Sequence, residues 1–417
     1  MVPDRQLGRM TTHDIRGVAV KKVKLAIVCT HPIQYYAPVF RALAQSDAVE
    51  PRVFYTWSQT AQAAPFDPDF GMRFAWNIPL LEGYKYLFVE NTAKHPWPGR
   101  FFGVRTPTLS REIVTWGADA VLVFGWPMYA HLRLLVESKG KLPVLFRGDS
   151  TLLDPIQPLR RLARQVLLRW IYSHVDMAIA VGQNNRDYFR WCGLSSESIA
   201  FAPHSIDTLR FGDATGEHDR KASQWRAELG IPDASPTLLF AGKFTEKKDP
   251  LSLLEAFTKL NASAHLIFAG SGQLEATLRE SARERANVHF LPFQNQSEMP
   301  SVYRLADLFV LPSRGPGETW GLAMNEAMAS GRPVIAGSRV GGARDLIEVA
   351  STGWVFDSGN TAALIDVLDS AIALGREGLL KMGEAARKAI SNWSSAAAAK
   401  GIERATLRAI SVFNANL

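Results

Sequence analysis

The chain has 417 residues, and because domains usually hold about 100–200 residues, we expect two or three of them. Hydrophobic residues make up 47% and charged residues 21% of the sequence, close to the average of folded proteins, which excludes a disordered or fibrous protein. The net charge of +7 comes from residues 1–210, which hold 25 basic and 17 acidic side chains, so this half has either an anionic partner, such as a phosphorylated acceptor or a membrane surface, or an ordinary solvated surface.

Residues 1–22 predict a loose tail ahead of the first strand. They hold several charges and no apolar core, so we expect no signal peptide, and no later apolar run reaches the roughly 18–20 residues of a membrane span. The two cysteines, Cys29 and Cys192, lie in no Cys/His cluster, which argues against a disulfide framework or a zinc site. A reducing cytoplasm fits this pattern.

Thirteen short apolar runs predict β-strands. They do not alternate with polar residues, which is typical of parallel strands that helices cover on both faces. The alternation of strand and helix occurs in both halves and predicts two doubly wound, Rossmann-like α/β domains facing a cleft, where we expect the active site. The runs are residues 25–29, 53–57, 86–89, 120–124, 143–146, 177–181, 199–202, 237–241, 265–269, 288–291, 308–311, 333–336 and 354–356.

Two loops that follow strands of the first half offer side chains to a ligand in the cleft. After the first strand, His31, Gln34 and Tyr35 can contact such a ligand, although a structural turn explains the same residues. After the fourth strand come Trp126 and, one turn into the next helix, His131. All five are acceptor-side candidates.

A third loop, Arg147-Gly148-Asp149, follows the fifth strand. Asp149 can accept the proton of an acceptor hydroxyl, and Arg147 can hold a charged acceptor. The alternative is an internal ion pair between the two side chains that fixes the loop.

Apolar residues at helical spacing form a stripe within residues 159–171, with four arginines mostly off it. Such an amphipathic basic helix suits either anionic lipid headgroups or a position with its stripe against the domain core. We expect the core-facing position. The stripe consists of Leu159, Leu162, Ala163, Val166, Leu167, Trp170 and Ile171.

The second half begins after a predicted domain boundary in residues 211–222, where glycine and polar residues interrupt the hydrophobic period. Its first loop puts Gly242, Lys243 and Lys248 at a strand end. Glycine lets the backbone approach a diphosphate, and ammonium groups neutralise phosphate oxygens, but a solvated loop has the same composition. The next loop holds Gly270 in a Gly-x-Gly pattern, which suits either phosphate binding or close packing of strand and helix.

The loop of residues 311–321 leads into a predicted helix. The free N–H groups at a helix start form an anion site, here expected at Gly321, Leu322 and Ala323. Glu326 lies two turns further, roughly 9–12 Å along the axis, which matches the reach from a phosphate to the ribose hydroxyls. Glu318 is expected at the loop tip, facing the cleft, where it can accept hydrogen bonds from sugar hydroxyls.

Glu318 and Glu326 form an E-x7-E pattern, set among Pro312-Ser313, Gly321-Leu322 and Pro333-Val334. This segment resembles the family 4 (group 1) glycosyltransferases. Residues 242–248 are similar to the family's Gly-Arg-Leu-x-x-Glu-Lys, with Lys243 in place of Arg. Residues 203–211 resemble its Pro-Asn-Gly-Val-Asp-x-x-x-Phe, with His204 in place of Asn, which makes His204 a further acceptor-side candidate. The resemblance covers roughly residues 170–410.

The resemblance implies the GT-B fold, with residues 23–211 as the acceptor-side domain, 212–390 as the donor domain and 391–417 as a helix crossing back. It implies that Lys243 and Lys248 bind the diphosphate, that Glu326 binds the ribose and that Glu318 binds the transferred sugar. Gly242, Gly270 and the amides of residues 321–323 complete the donor site. The expected catalytic residues are Glu318, Asp149 and Lys248.

By the same resemblance, the reaction is a retaining transfer from a UDP- or GDP-sugar to a glycan, a lipid-linked or a small-molecule acceptor. No metal or other cofactor is expected, because lysines and the helix dipole stabilise the departing diphosphate. We expect a cytoplasmic enzyme of polysaccharide biosynthesis, with a possible site at the inner face of an anionic membrane.

Other functions remain as alternatives. A sugar-nucleotide epimerase or a phosphorylase can share the fold, and a non-enzymatic binder of an anionic surface fits the basic half, but neither explains the E-x7-E setting. No nucleic-acid module is recognisable. Asp67-Pro68-Asp69 spells the DxD of metal-dependent transferases, but we expect it far from the donor loops and without metal.

Overall fold

The computed structural model describes residues 21–58, 66–260 and 263–415; most of the predicted tail lies outside these ranges. Two parallel sheets organise the described chain. The strands are β1 (Val23–Cys29), β2 (Val49–Tyr55), β3 (Phe66–Asp67), β4 (Met72–Arg73), β5 (Lys85–Phe88), β6 (Ala120–Phe124), β7 (Val144–Arg147), β8 (Met177–Ala180), β9 (Ile199–Phe201), β10 (Thr237–Lys243), β11 (His265–Ser271), β12 (Val288–Leu291), β13 (Leu308–Leu311), β14 (Val334–Gly337) and β15 (Gly353–Phe356).

Helices connect the strands and cover the sheets. They are α1 (Ala37–Ala44), α2 (Leu109–Trp116), α3 (Tyr129–Ser138), α4 (Pro158–Tyr172), α5 (Gln183–Trp191), α6 (Thr208–Phe211), α7 (Glu217–Glu228), α8 (Pro250–Thr258), α9 (Glu275–Ser281), α10 (Met299–Arg304), α11 (Leu322–Ala329), α12 (Ala343–Leu346), α13 (Thr361–Ile372), α14 (Gly375–Ile390) and α15 (Ser395–Ala415). No helix of the described ranges has both the length and the apolar character needed to cross a bilayer.

The first sheet has the strand order β5-β2-β1-β6-β7-β8-β9, and the second has β12-β11-β10-β13-β14-β15. Each of the thirteen predicted runs coincides with one of these strands, and the predicted pair of doubly wound sheets is confirmed. The strands are buried on both faces, as Leu25, Val121 and Leu239 illustrate with no exposed surface. Within each sheet an α-helix connects every pair of consecutive strands except β2 and β5, between which the β3–β4 hairpin lies. The exact domain limits stay a prediction.

The C-terminal helix α15 leaves the second half and packs on the first sheet, as the resemblance implied. Ala398, Ile402 and Ala405 share one apolar cluster with residues of β1. Gly401 allows this contact, because a Cβ atom there would lie 2.6 Å from Ala202 Cβ. Helix α15 therefore follows the second half in sequence but packs against the first half.

Helix α4 contradicts the expected core-facing stripe. Leu159 is 84% exposed, Val166 64% and Trp170 49%, whereas the buried residues of the helix are Leu168, Ile171 and Tyr172. Only the last turn of α4 reaches the core, so most of the stripe faces away from the protein. A 3.6-residue period shows that a helix has an apolar side, but it does not show what covers that side.

The β3–β4 hairpin of the first half lies against the second half. Ser271 Oγ donates to the carbonyl of Phe70 at 2.9 Å, and the Asn77 side chain donates to Ser297 Oγ at 2.7 Å. The Phe70 and Phe74 rings lie 5.0 and 4.6 Å from the Phe293 ring. The hairpin and the following loop thus form a strap, residues 66–77, across the cleft.

Candidate active site

A cavity of about 430 Å³ lies where the carboxyl ends of both sheets meet. Loops after β1, β7, β9, β10, β11 and β13 supply its walls. Of the sequence-predicted site residues, the cavity collects Gln34, Tyr35, Asp149, His204, Gly242, Lys243, Lys248, Gly270, Glu318, Gly321, Leu322, Ala323 and Glu326. The expected cleft is therefore present, and it gathers every donor-side candidate.

Gly242 and Gly270 meet at the ends of the neighbouring strands β10 and β11. Both have positive φ, +148° and +142°, and a Cβ atom on Gly270 would lie 2.0 Å from the Gly242 carbonyl oxygen. Close approach of two strands therefore explains Gly270 without a ligand, whereas the predicted alternative to phosphate binding was close packing of strand and helix. Both glycines still line the cavity.

Helix α11 begins beside the cavity at its N-cap, Gly321, whose φ is +88°. A Cβ atom there would lie 2.7 Å from Val340 Cγ1, so both the backbone angle and the space favour glycine. Leu322 and Ala323 also line the cavity. The first N–H groups of an α-helix have no partner within the helix, so this end can receive an anion.

Glu326, on α11, is a buried carboxylate that is only 3% exposed. The Tyr303 hydroxyl donates to Oε2 at 2.7 Å, while Oε1 makes no hydrogen bond of good geometry among the described residues, although the Tyr35 hydroxyl lies beside the carboxylate. Burial raises the pKa of Glu326, and the neighbouring Arg210, Tyr303 and Tyr35 only partly oppose this shift. A buried acceptor without a partner costs about 1–3 kcal/mol, which a ligand hydroxyl would relieve.

Glu318 faces the cavity, as predicted, and its side chain is buried there. Its carboxylate lies 2.8 Å from Lys248 Nζ and accepts a hydrogen bond from Ser313 Oγ at 3.2 Å. Burial raises the pKa of Glu318, but Lys248 and Lys247 outweigh burial and bring the pKa below its usual value. Both Lys248 and Glu318 therefore enter the cavity as an ion pair and not as separate charges.

Lys243 is also paired, and its partners correct the prediction for Asp67-Pro68-Asp69. Lys243 Nζ lies 3.1 Å from Asp67 and 2.9 Å from Asp69, so both carboxylates sit at the donor loop instead of far from it. The strap brings them there across a separation of more than 170 residues. Within the described ranges no cluster of His, Cys, Asp and Glu has the arrangement of a metal site.

Asp149 and His204 adjoin each other on the acceptor side of the cavity. Asp149 accepts a hydrogen bond from Thr319 Oγ1 at 2.7 Å and lies 4.0 Å from His204 Nε2. Burial lowers the pKa of His204 to about 4, although Asp149 opposes this shift, so the imidazole is neutral at pH 7. Its ring centroid is 5.5 Å from that of Trp320.

Three other candidates lie away from this cavity. Arg147 is buried and donates to the carbonyls of Ala202 and Pro203 at 3.0 and 2.9 Å, so it fixes the β9 loop, does not line the cavity and does not form the alternative pair with Asp149. His131 is fully buried between Thr56 Oγ1 and the Gly125 carbonyl. Trp126 packs against the core of the first sheet.

His31 lines a second cavity of about 700 Å³, which adjoins the first. Sequence reasoning missed Tyr303, a cavity residue whose hydroxyl bonds to Glu326, because Tyr303 belongs to no recognisable motif. It also missed Thr319 and Trp320, although both stand inside the segment that carried the prediction. Trp320 Nε1 donates to Asn325 Oδ1 at 2.9 Å, which fixes the start of α11.

Known proteins resemble this chain in sequence. A family model described as glycosyl transferases group 1 matches residues 221–389. A D-inositol 3-phosphate glycosyltransferase of Xylanimonas cellulosilytica is 31% identical over 390 residues, covering 88% of this chain and 89% of the relative. A GDP-mannose-dependent monoacylated alpha-(1-6)-phosphatidylinositol monomannoside mannosyltransferase of Corynebacterium glutamicum is 33% identical over 227 residues, which are 51% of this chain and only 58% of that relative.

Solved structures resemble the fold. A glycosyltransferase from Rickettsia africae has a TM-score of 0.68 at 16% identity, covering 95% of this chain and 100% of its own. HepE of Anabaena in complex with UDP has a TM-score of 0.67 at 16% identity, with the same coverage. At such low identity the likeness shows the GT-B fold alone. The 31% identical relative, which matches most of the chain, and the family model show that the chain belongs to the group 1 glycosyltransferases.

Proposed function

We propose that this enzyme transfers a sugar from a nucleotide-diphosphate sugar to an acceptor hydroxyl, with retention of anomeric configuration and without a metal. The observation that carries the proposal is Glu326. It is a buried carboxylate with one unpartnered oxygen, on a helix whose N-terminal end opens into the same cavity. A ribose hydroxyl pair bound there would place the diphosphate at the helix start.

The donor site divides into three parts in this proposal. The first amides of α11, with Lys243 and Lys248, hold the diphosphate, and Gly242 and Gly270 leave room for it. Glu326 holds the ribose. Glu318 orients the transferred sugar, and because it is paired with Lys248, sugar and diphosphate binding are linked through one ion pair. The relatives' names support a UDP- or GDP-sugar as donor, since one is GDP-mannose-dependent and one related structure holds UDP.

In the transfer step, the bond between the anomeric carbon and the diphosphate oxygen breaks, and a bond to the acceptor oxygen forms on the same face. The lysines and the helix end stabilise the negative charge that develops on the departing diphosphate. The acceptor hydroxyl loses its proton as this bond forms, and Asp149 is our candidate for the group that accepts the proton. It lines the cavity and already accepts one hydrogen bond, from Thr319, which fixes its orientation.

The acceptor in this proposal is a glycan, a lipid-linked sugar or a small molecule. The surface of α4 suits binding to an anionic membrane. Its exposed side combines apolar residues such as Leu159, Leu162 and Val166 with the exposed Arg160, Arg161 and Arg164. Apolar side chains can enter the headgroup region while guanidinium groups meet lipid phosphates. We therefore propose a cytoplasmic enzyme that binds the inner face of the membrane through α4.

Thermal shift against a panel of UDP-, GDP- and ADP-sugars tests the donor class. A ligand at one hundred times its Kd stabilises the folded state by about 2.7 kcal/mol, so at least one donor should raise the Tm by several degrees. Glu326→Ala should abolish this shift. Glu255→Ala, which removes an exposed carboxylate on α8, is the matched control and should keep it. No stabilisation by any sugar nucleotide at millimolar concentration would refute the proposal.

A further inference from the structure

The second cavity, of about 700 Å³, adjoins the donor cavity. The two share Gln34, Asp67, Trp76 and Lys243 as lining residues. A molecule in the second cavity would therefore lie next to a bound donor in the same cleft. Its size is within the roughly 300–1,000 Å³ of small-molecule sites.

Aromatic rings form its walls. On one side, the His31 and Trp57 rings lie 5.5 Å apart and the Trp57 and Trp97 rings 5.9 Å apart, both edge to face. The strap supplies the other side, where the Phe74 and Trp76 rings lie 4.7 Å apart. Phe66 is 49% exposed and Trp97 44%, so large apolar surfaces remain open at the cavity. Such surfaces stack well on the C–H face of a sugar ring.

The polar groups of the cavity favour an uncharged ligand. Among the described residues that line it, the carboxylates are Asp67, Asp69 and Glu82, and the one Lys or Arg is Lys243, which both aspartates already neutralise. Burial lowers the pKa of His31 to about 4, so His31 adds no positive charge at pH 7. Lys94 and Arg100 line a separate pocket that shares only Trp97 with this cavity. A phosphorylated ring would meet uncompensated carboxylates here, whereas sugar hydroxyls can donate to them.

We propose that this cavity is the acceptor site and that it takes a neutral glycosyl residue, stacked on the tryptophans with its hydroxyls toward the carboxylates. This inference rests on the proposed transfer reaction and deepens it. It sets the chain apart from the 31% identical relative, whose name gives D-inositol 3-phosphate, an anionic molecule, as its substrate. The acceptor of this enzyme would then end in a neutral sugar rather than in a phosphorylated ring.

The test is saturation-transfer NMR on the full chain with two sets of probes, in the presence of the nucleotide that stabilises it. The first set is a panel of methyl glycosides of neutral hexoses, and the second is D-inositol 3-phosphate. At least one glycoside should bind at millimolar concentration, and D-inositol 3-phosphate should bind more weakly. Trp97→Ala should weaken the glycoside at least about tenfold, a change of ~1.4 kcal/mol, and Trp97→Phe should restore part of the loss.

Trp170→Ala, which removes a tryptophan of similar exposure on α4, is the control and should leave glycoside binding unchanged. The thermal shift with nucleotide sugar should persist in Trp97→Ala, because Trp97 does not line the donor cavity. If nucleotide sugar causes no thermal shift in the wild-type protein, that result would count against the transfer reaction itself. The acceptor inference is overturned if no neutral glycoside binds, if D-inositol 3-phosphate binds more tightly, if Trp97→Ala has no effect, or if hexanol competes as well as the glycosides.

Discussion

At the scale of single residues, the buried carboxylate of Glu326 lowers the stability of the folded protein when no ligand is bound. Its carboxylate is buried, one oxygen lacks a partner in the described chain, and the pKa is raised above 4.5. A carboxyl group with a raised pKa in the folded state binds protons more readily there than in the unfolded chain, so its penalty is full at neutral pH. The penalty declines as the pH falls through the folded pKa. This cost agrees with the ribose contact that we propose for Glu326 and not with a stabilising role.

Glu326→Gln should consequently raise the Tm of the ligand-free protein at pH 7 by a few degrees while abolishing stabilisation by the donor. The amide keeps the shape of the side chain but carries no charge to bury. Thermal unfolding at pH 7 and pH 5 measures both effects, and the gain should shrink at the lower pH. A variant less stable than the wild type at pH 7 would show that Glu326 is a net stabilising residue.

Lys248 has the opposite role, because it keeps the buried Glu318 ionised. Lys248→Ala leaves a carboxylate that is 6% exposed without its partner at 2.8 Å, which should cost about 2–4 kcal/mol at pH 7. The wild-type pKa of Glu318 is lowered, so the stabilisation is present above about pH 4.5 and is lost as the pH falls through the folded pKa. The Tm difference between variant and wild type should therefore narrow on acidification.

Lys247→Ala is the matched control, since Lys247 Nζ lies 3.8 Å from the same carboxylate and is more exposed. Its Tm should fall by less than that of Lys248→Ala, and with less dependence on pH. Equal losses from the two variants would mean that the loop needs only overall positive charge.

At the scale of elements, the strands were predictable and the faces of the helices were not. A strand of a doubly wound sheet must be apolar on both faces, so a run such as residues 120–124 carries its own signal. The start of α11 was predictable for a similar reason, because a Gly-rich loop and the following helix are local in sequence. The prediction for α4 was wrong because an apolar stripe has the same sequence pattern whether it packs against a core or faces solvent. The contacts between distant segments were not predicted, because no local sequence pattern records them. Examples are the ion pairs of Lys243 with Asp67 and Asp69 and the hydrogen bond of Tyr303 with Glu326.

The exposed stripe of α4 predicts binding to anionic vesicles. Each Arg near a membrane surface contributes about 1 kcal/mol, so changing Arg160, Arg161 and Arg164 together to Glu should reduce binding to phosphatidylglycerol vesicles by at least two orders of magnitude. Co-sedimentation measures this at low and high salt, with phosphatidylcholine vesicles as the uncharged comparison. The Tm should change little, because all three side chains are exposed.

Arg283→Glu with Arg285→Glu, two exposed positions of the second half, controls for the change in overall charge. This double variant should bind vesicles nearly as well as the wild type. Equal binding by all of the proteins would remove α4 from the membrane contact.

At the scale of the whole molecule, one segment of the first half sets the electrostatics of the second. The strap reaches over the cleft, and its Asp67 and Asp69 neutralise Lys243, where the proposed diphosphate would lie. Two residues of the strap, Asp67 and Trp76, line both cavities. Donor and acceptor sites are thus joined by residues that belong to neither of the family's recognisable motifs.

Because the aspartates compete with a diphosphate for Lys243, Asp67→Asn with Asp69→Asn should tighten binding of UDP or GDP. The pairs are partly exposed, and such pairs contribute about 0.2–1 kcal/mol each, or about 0.4–2 kcal/mol together, so the Kd should fall roughly two- to thirtyfold. Calorimetric titration at two salt concentrations measures the change, which should diminish at high salt. Adding Lys243→Met to the double variant should raise the Kd above that of the wild type, because the contested cation is gone. If the double variant instead binds the nucleotide more weakly, the aspartates belong to the donor site, and the strap helps to hold the donor rather than competing with it.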